Sequence, residues 1–369
     1  MALRLERPVS TIVAAWVIAV AILSGATAFA EDAAEAPLDV VLPVLVRDEG
    51  IRRELQLTPD GELALDRLLD EWNERLFGLR MLSLETDAEQ VAATLSGFRD
   101  GLRHILNAKQ QSRLHGLLLQ SNGWRSLTDP AIAGELGLTS SQRKKIAAAL
   151  QQSLEATRKL QQSAANGGNI TNLESEAERI KAAEHTRITK VLTDPQKRKW
   201  LEIVGTRYDL TTVRQSAGKA PELQGIDEWL NSSPLTLAGQ RGRVVVLHFI
   251  AADCINCVRN LPHYQKWHDD FADRGVTILG VHSPETSAER DASHVREKLL
   301  RDGVTYPVAL DSELKTWDAW TNRMWPSTYL IDKRGDIRFW WYGELQWQGA
   351  EGERLVRERI EQLLAEEVP

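Results

Sequence analysis

A chain of 369 residues that is 43% hydrophobic holds enough apolar material for two ordinary domains with real cores, which excludes a disordered tether. A formal charge of -7 offers no basic face and excludes nucleic acid as a partner. The two cysteines stand three residues apart, where a bridge stabilises by only about 2 kcal/mol, so the spacing suits chemistry better than stapling.

The chain begins with Arg4 and Arg7, an unbroken apolar run over residues 12–23, and then Ala28-Phe29-Ala30. A basic flank, a short apolar stretch and an A-x-A site are the parts of a secretory signal peptide, here residues 1–30. A spanning helix needs about 20 apolar residues, whereas this run soon meets Ser24, Gly25 and Thr27. Cleavage after Ala30 is the expectation, with retention as an N-terminal anchor the alternative. The protein is then exported, to a periplasm or cell envelope, where disulfides form and persist.

Residues 31–215 read as an all-α domain. Leu63, Leu65, Leu68, Leu69, Trp72 and Leu76 recur at helical spacing, strand-like alternation is absent, and residues 166–169 (Asn-Gly-Gly-Asn) mark a loop. The region reads as a two-fold repeat: residues 51–58 align with 132–139, and 105–111 with 191–197. Thr139 with Gln142, and Thr193 with Gln196, have capping-box spacing, in which each side chain satisfies an orphan N–H of the other residue. Leu138-Thr139-x-x-Gln142 and Leu192-Thr193-x-x-Gln196 also resemble the LTxxQ motif of exported Spy- and CpxP-like proteins. Capping alone accounts for these residues, and no function is carried over.

A linker over residues 214–221 opens a second domain, 216–369. A β-branched run at 244–250 reads as a strand buried on both faces, followed by a helix over 254–271 and a strand at 276–282. A charged helix at 287–301, strands at 306–310, 327–331 and 337–342, and a helix over 352–366 complete the pattern of an α/β sandwich with a mixed sheet.

Within it, Gly242-Arg-Val-Val-Val-Leu-His-Phe249, Cys254-Ile255-Asn256-Cys257 and Leu261-Pro262 resemble the TlpA/ResA branch of exported thioredoxin-like proteins. Gly280-Val281-His282-Ser283-Pro284-Glu285 and Trp325-Pro326-Ser327-Thr328-Tyr329-Leu330-Ile331-Asp332 resemble the thioredoxin-like domain of DipZ-type proteins more closely still. The resemblance covers about residues 220–365, leaves the helical half untouched, and implies a thiol-disulfide oxidoreductase.

The residues support that chemistry directly. A free thiol titrates at about 8.5, and a helix N-terminus favours the thiolate. Cys254 opens the helix and is the expected nucleophile; Cys257, one turn inward, is the expected resolving thiol. A zinc site recruiting His263 and His268 is disfavoured by the short Cys-to-His gap and by Pro262. Haem attachment fails because Val258 follows the second cysteine.

Read alone, Pro326 is an ordinary turn proline; the resemblance implies a cis bond facing the cysteine pair, with Trp325 beside a bound peptide. Trp317, Trp320, Trp340 and Trp341 are assigned to the core. Asp253 has two readings, a charge opposing the Cys254 thiolate or a helix cap, the cap preferred. His248 also has two, a proton shuttle or a buried hydrogen-bonded side chain, while His282 is taken as structural.

The expected partners are protein disulfides or thiols and a membrane thiol carrier, with no cofactor. A different class stays open, an exported binding or chaperone-like protein whose helical half carries the function and whose redox domain is accessory.

Overall fold

The computed structural model describes residues 37–83, 86–165 and 170–367. The expected signal peptide and the loop at 166–169 lie outside them. Two compact units are present: residues 37–68 with 88–214, and residues 69–83 and 86–87 with 215–367.

The first unit is helical, built from α1 (Leu42–Arg47), α2 (Glu49–Leu55), the first half of α3 (Pro59–Gly78), α4 (Ala88–Ile105), α5 (Ala108–Asn122), α6 (Pro130–Glu135), α7 (Ser140–Ala165), α8 (Ile170–Val191) and α9 (Asp194–Val204). Side-chain caps set its helix starts. Asp48 accepts from Ile51 N at 2.9 Å to open α2, and Asp129 accepts from Ile132 N at 3.2 Å to open α6. Capping boxes open α5 (Asn107 with Gln110) and α9 (Thr193 with Gln196).

Those two glutamines make a further matching contact. Gln110 Nε2 donates to Gln56 O and Gln196 Nε2 to Gly137 O, each at 3.2 Å, and both acceptor residues have positive φ, 54° and 61°. The paired positions keep the spacing of the aligned sequence segments. The Gln142 and Gln196 amides also bond reciprocally at 2.8 and 3.1 Å, which capping alone does not anticipate. Leu119, Trp124, Ile132, Ile146, Ile188 and Trp200 pack together within this unit.

The second unit contains β1 (Gly218–Lys219), β2 (Glu228–Leu230), β3 (Val244–Ile250), α10 (Ile255–Phe271), β4 (Val276–His282), α11 (Ala292–Arg301), β5 (Val308–Leu310), α12 (Lys315–Ala319), β6 (Ser327–Ile331), β7 (Asp336–Tyr342) and α13 (Gly352–Ala365). Its sheet has the order β1-β7-β6-β3-β4-β5-β2, parallel across β3, β4 and β5 and antiparallel elsewhere. This is a thioredoxin-like fold with a mixed sheet.

Central strand β3 is buried at every position, the usual environment of a strand covered on both faces. Val244, Val246 and Ile250 pack with Leu261, Trp267 and Phe271 of α10 and with Val356 and Ile360 of α13. The alternate residues Val245, Leu247 and Phe249 pack with Trp317, Trp320, Tyr329 and Phe77. Gly275 takes φ 92° at the end of the α10 segment, a left-handed turn that glycine adopts without a Cβ clash.

Three features differ from the sequence reading. Edge strands β1 and β2 have two and three residues, too few to show a period of two. The helix expected at 287–301 is interrupted: a 3-10 turn (Ser287–Arg290) ends and α11 restarts because Asp291 accepts from Ser293 N at 2.9 Å. Residues 69–83, helical in pattern, fold with the second unit, where Phe77 is buried among Trp320, Tyr329 and Trp340. Of the four core tryptophans, Trp317, Trp320 and Trp341 are buried and Trp340 is half-buried.

Candidate active site

Strand register brings three loops to one end of the sheet. Phe249 at the end of β3 pairs with Ser327 at the start of β6, and Ile250 pairs with His282 at the end of β4. The segments 251–254, 283–286 and 322–326 therefore leave from adjacent strand ends. Strand β3 has a parallel neighbour, β4, on one side and an antiparallel one, β6, on the other.

Cys254 is the N-cap residue of α10: its carbonyl accepts from Val258 N at 3.0 Å, and its own N–H bonds Ala251 O at 3.3 Å. It is half-buried, whereas Cys257, one turn on, is 1% exposed, and both are free thiols. The two sulfurs have opposite electrostatics. The Cys254 thiol is lowered to about 7, first by a hydrogen bond from the Cys257 side chain and then by the backbone N–H groups of Cys257 and Asn256, against burial and the Glu285 charge. Burial, with the Cys254 interaction second, pushes Cys257 well above the ordinary thiol range. The outer sulfur is thus the more readily ionised of the two, and the inner thiol donates a hydrogen bond to it.

The Trp325–Pro326 peptide bond is cis. Trp325 Nε1 donates to Ser283 O at 3.0 Å, and its ring stacks on Trp317 with centroids 4.0 Å apart. Pro326 O accepts from Gly343 N at 2.8 Å. Cys254 and Trp325, both partly buried, rest against the same apolar cluster. Ile255, just after Cys254, and Met324, just before Trp325, are 59% and 43% exposed.

Asp253 is not the helix cap. Cys254 occupies that position, and the Asp253 carboxylate reaches instead to His294 Nε2 of α11 at 2.8 Å. The carboxylate that opposes the Cys254 thiolate is Glu285.

His248 is fully buried in β3, stacked on Tyr264 at 3.8 Å and edge-on to Tyr306 at 5.3 Å. Neither ring nitrogen has a hydrogen-bond partner, which corrects the reading of a hydrogen-bonded histidine. Burial lowers its pKa to about 3, so the ring is neutral at physiological pH. The neighbouring Tyr264 hydroxyl bonds Thr328 Oγ1 at 2.7 Å, linking α10 to the strand that follows Pro326. His282 is 1% exposed and lowered to about 4 by burial, with the Glu289 charge acting the other way.

Glu289 was missed in the sequence. This buried carboxylate accepts from Asp253 N at 2.7 Å, Glu285 N at 2.9 Å and Thr286 N at 3.0 Å, fastening the segment before Cys254 to the segment after β4. The available signal was Thr286-x-x-Glu289, a capping-box spacing hidden inside a charged stretch. Asn260 was likewise unassigned; it accepts from Leu345 N at 2.8 Å and donates to Gly343 O at 3.1 Å, tying α10 to the loop after β7. Among the described residues, no group of three or more His, Cys, Asp or Glu is placed to hold a metal ion. His263 and His268 lie half-buried on α10.

Comparison with known proteins places this unit. Residues 217–340 match the AhpC/TSA family. Protein DipZ of Mycobacterium bovis is 41% identical over 133 residues, 35% of this chain and 19% of DipZ. Thiol-disulfide oxidoreductase YkuV of Bacillus subtilis is 27% identical over 148 residues, 40% of this chain and 94% of YkuV. Thiol-disulfide oxidoreductase ResA of Halalkalibacterium halodurans is 30% identical over 112 residues, 30% of this chain and 60% of ResA. The chain therefore spans about a fifth of the length of the DipZ proteins it matches.

Proposed function

We propose, from a second unit that is a thioredoxin-like domain of the AhpC/TSA kind, that this chain exchanges disulfides with protein partners through Cys254 and Cys257. The observation that carries the reading is the contrast between the two sulfurs: Cys254 lowered to about 7 at a helix start, Cys257 buried and raised behind it. The Cys254 thiolate attacks one sulfur of a partner disulfide, forming a mixed disulfide while the partner's other sulfur leaves as a thiolate and takes up a proton. Cys257 then loses its proton and attacks Cys254. The Cys254–Cys257 disulfide forms, the partner's second thiol is released, and two electrons have passed to the partner. Run backwards, the same steps oxidise a partner dithiol.

Trp325 and Pro326 receive an extended segment of the partner, with Ile255 and Met324 as apolar flanks. His248 contributes as a neutral ring under α10, and its part in proton transfer is read from the pH profile of a His248→Ala variant.

Residues 1–30 direct the chain out of the cytoplasm, and electrons pass to or from a second protein there, a membrane thiol carrier. Among the described residues, no helix is long and apolar enough to cross a membrane. The recurring caps at Asp48 and Asp129, and the matched bonds of Gln110 and Gln196, support a duplicated helical unit.

Trapping tests the redox assignment. Cys257→Ala should accumulate covalent adducts with partner proteins that dithiothreitol releases, and Cys254→Ala should accumulate none. Adducts formed equally by both variants, or by neither, overturn it.

A further inference from the structure

We infer that Arg80 is a positioning residue for the loop over 320–326, whose Trp325 rests with Cys254 on one apolar cluster; this deepens the redox reading and rests on it. The side chain stands in the 3-10 turn Leu79–Met81, which directly follows α3 and belongs to the second unit. Its guanidinium reaches three separate segments of that unit. Nε donates to Tyr342 Oη at 2.9 Å on β7, and Nη2 to Tyr329 Oη at 3.2 Å on β6. Nη1 donates to Thr321 Oγ1 at 2.8 Å, and Nη2 also donates to Trp320 O. A planar fork of five N–H groups can hold several oxygens in fixed directions at once, which an ammonium group cannot do.

The place it holds is where α12 ends and the loop begins. Thr321 has φ 46°, a left-handed conformation uncommon for a β-branched residue and kept only where the surroundings impose it. Arg80 bonds the carbonyl just before this residue and its hydroxyl. The next residue, Asn322, is buried and accepts from Tyr329 Oη at 2.5 Å, and Tyr329 itself receives the Arg80 bond. Arg80, Tyr329 and Asn322 thus form a relay that ends at Asn322, four residues before Pro326.

A second path, of rings, runs to the same place. The Arg80 guanidinium lies 3.4 Å from the Phe77 ring centroid. Phe77 meets Trp320 at 6.0 Å, Trp320 meets Phe249 at 5.7 Å, Phe249 meets Trp317 at 5.9 Å, and Trp317 stacks on Trp325 at 4.0 Å. A turn contributed by the helical half of the sequence is therefore built into the support of the site. Phe77 and Arg80 do not touch the sulfurs; they act through the loop.

The test uses the full chain with Arg80→Ala and Arg80→Lys. Two readouts are taken: amide hydrogen exchange at residues 321–325, and reduction of a peptide disulfide beside that of hydroxyethyl disulfide. In Arg80→Ala, exchange in the loop should rise about tenfold or more while β3 and β4 keep wild-type protection. The KM for the peptide disulfide should rise about tenfold, with the rate toward the small disulfide and the Cys254 titration unchanged. Arg80→Lys should fall between the two. Unchanged loop exchange overturns the inference, and so does an equal loss toward both disulfides with β3 protection lost as well, the mark of general destabilisation. If Arg80→Ala does not fold, Arg80→Lys carries the same measurements. Wild-type protein inert toward both disulfides would sink the redox reading, while loop exchange would still decide the role of Arg80.

Discussion

Replacing Cys257 by alanine should do more than prevent resolution of a mixed disulfide; it should weaken the nucleophile. The largest influence lowering Cys254 from 9.0 to about 7 is the hydrogen bond from the Cys257 side chain. At pH 7 the wild-type sulfur is about half thiolate. With that donor gone, the titration moves toward 9.0, where about 1% is thiolate at pH 7, a loss of about fiftyfold as an upper limit. Intrinsic nucleophilicity rises with pKa, with a Brønsted slope of about 0.4–0.5, and recovers about eightfold. The net result is a single-turnover rate toward a small disulfide about sixfold slower at pH 7 and about eightfold faster above about pH 10, so the two pH profiles cross. Stopped-flow kinetics from pH 5 to pH 10 would record both arms. Cys257→Ser, which keeps a donor, should stay near the wild-type profile. A Cys257→Ala protein that still titrates at about 7, with no crossing, would show that the helix start alone sets the nucleophile.

Three further outcomes follow from the same geometry. Asp253→Asn should leave the Cys254 titration in place, because its carboxylate faces His294; a fall of more than about half a unit by thiol absorbance would contradict this. Glu289→Gln replaces a carboxylate accepting three backbone N–H bonds with an amide that can accept at one oxygen only, and should cost about 2 kcal/mol or more, read as a Tm lower by about 4–8 °C. An unchanged Tm would mean that Glu289 does not fasten the two loops. Acid stability should also reflect the buried imidazoles. His248 and His282 have folded pKa values near 3 and 4 against 6.5, so their contribution is complete above about pH 6.5 and is lost as pH falls toward those values. Each adds up to about 1.4 kcal/mol of destabilisation per pH unit in that window, and urea titrations of His248→Asn should show a shallower slope.

The parts of the site that were legible in the sequence share a local cause. Cys254 and Cys257 announce themselves by spacing and by the helix they open, and the buried strand before them by its β-branched run. Cys254, the residue at the helix start, caps it through its backbone, and Asp253 was misassigned because composition cannot tell which neighbour's carboxylate will turn toward a helix arriving from residue 292 onward. Asn260 works through backbone groups 83 and 85 residues away, and Glu289 joins two nearby N–H groups to that of Asp253, 36 residues back, so each looks like an ordinary polar residue in its local run. His248 was located correctly in the strand, but its lack of a partner depends on the aromatic rings that pack over it. Residues 69–83 carry ordinary helical periodicity, and periodicity reports the presence of an apolar face without naming the surface it meets.

The reciprocal amide bonds of Gln142 and Gln196 set the two halves of the helical sequence apart. In the aligned segments Gly61 stands where Gln142 does, yet the cap survives there, since Gly61 N still donates to Thr58 Oγ1 at 3.2 Å, as Gln142 N does to Thr139 Oγ1. Beginning a helix is therefore one task and clasping its neighbour another, and of these two aligned segments only the later performs both. An amide lost at position 142 would remove the clasp but leave Gln196 its bonds to Gly137 O at 3.2 Å and from Thr193 N at 2.9 Å. That makes this clasp a fastening added to the helix starts rather than one of them.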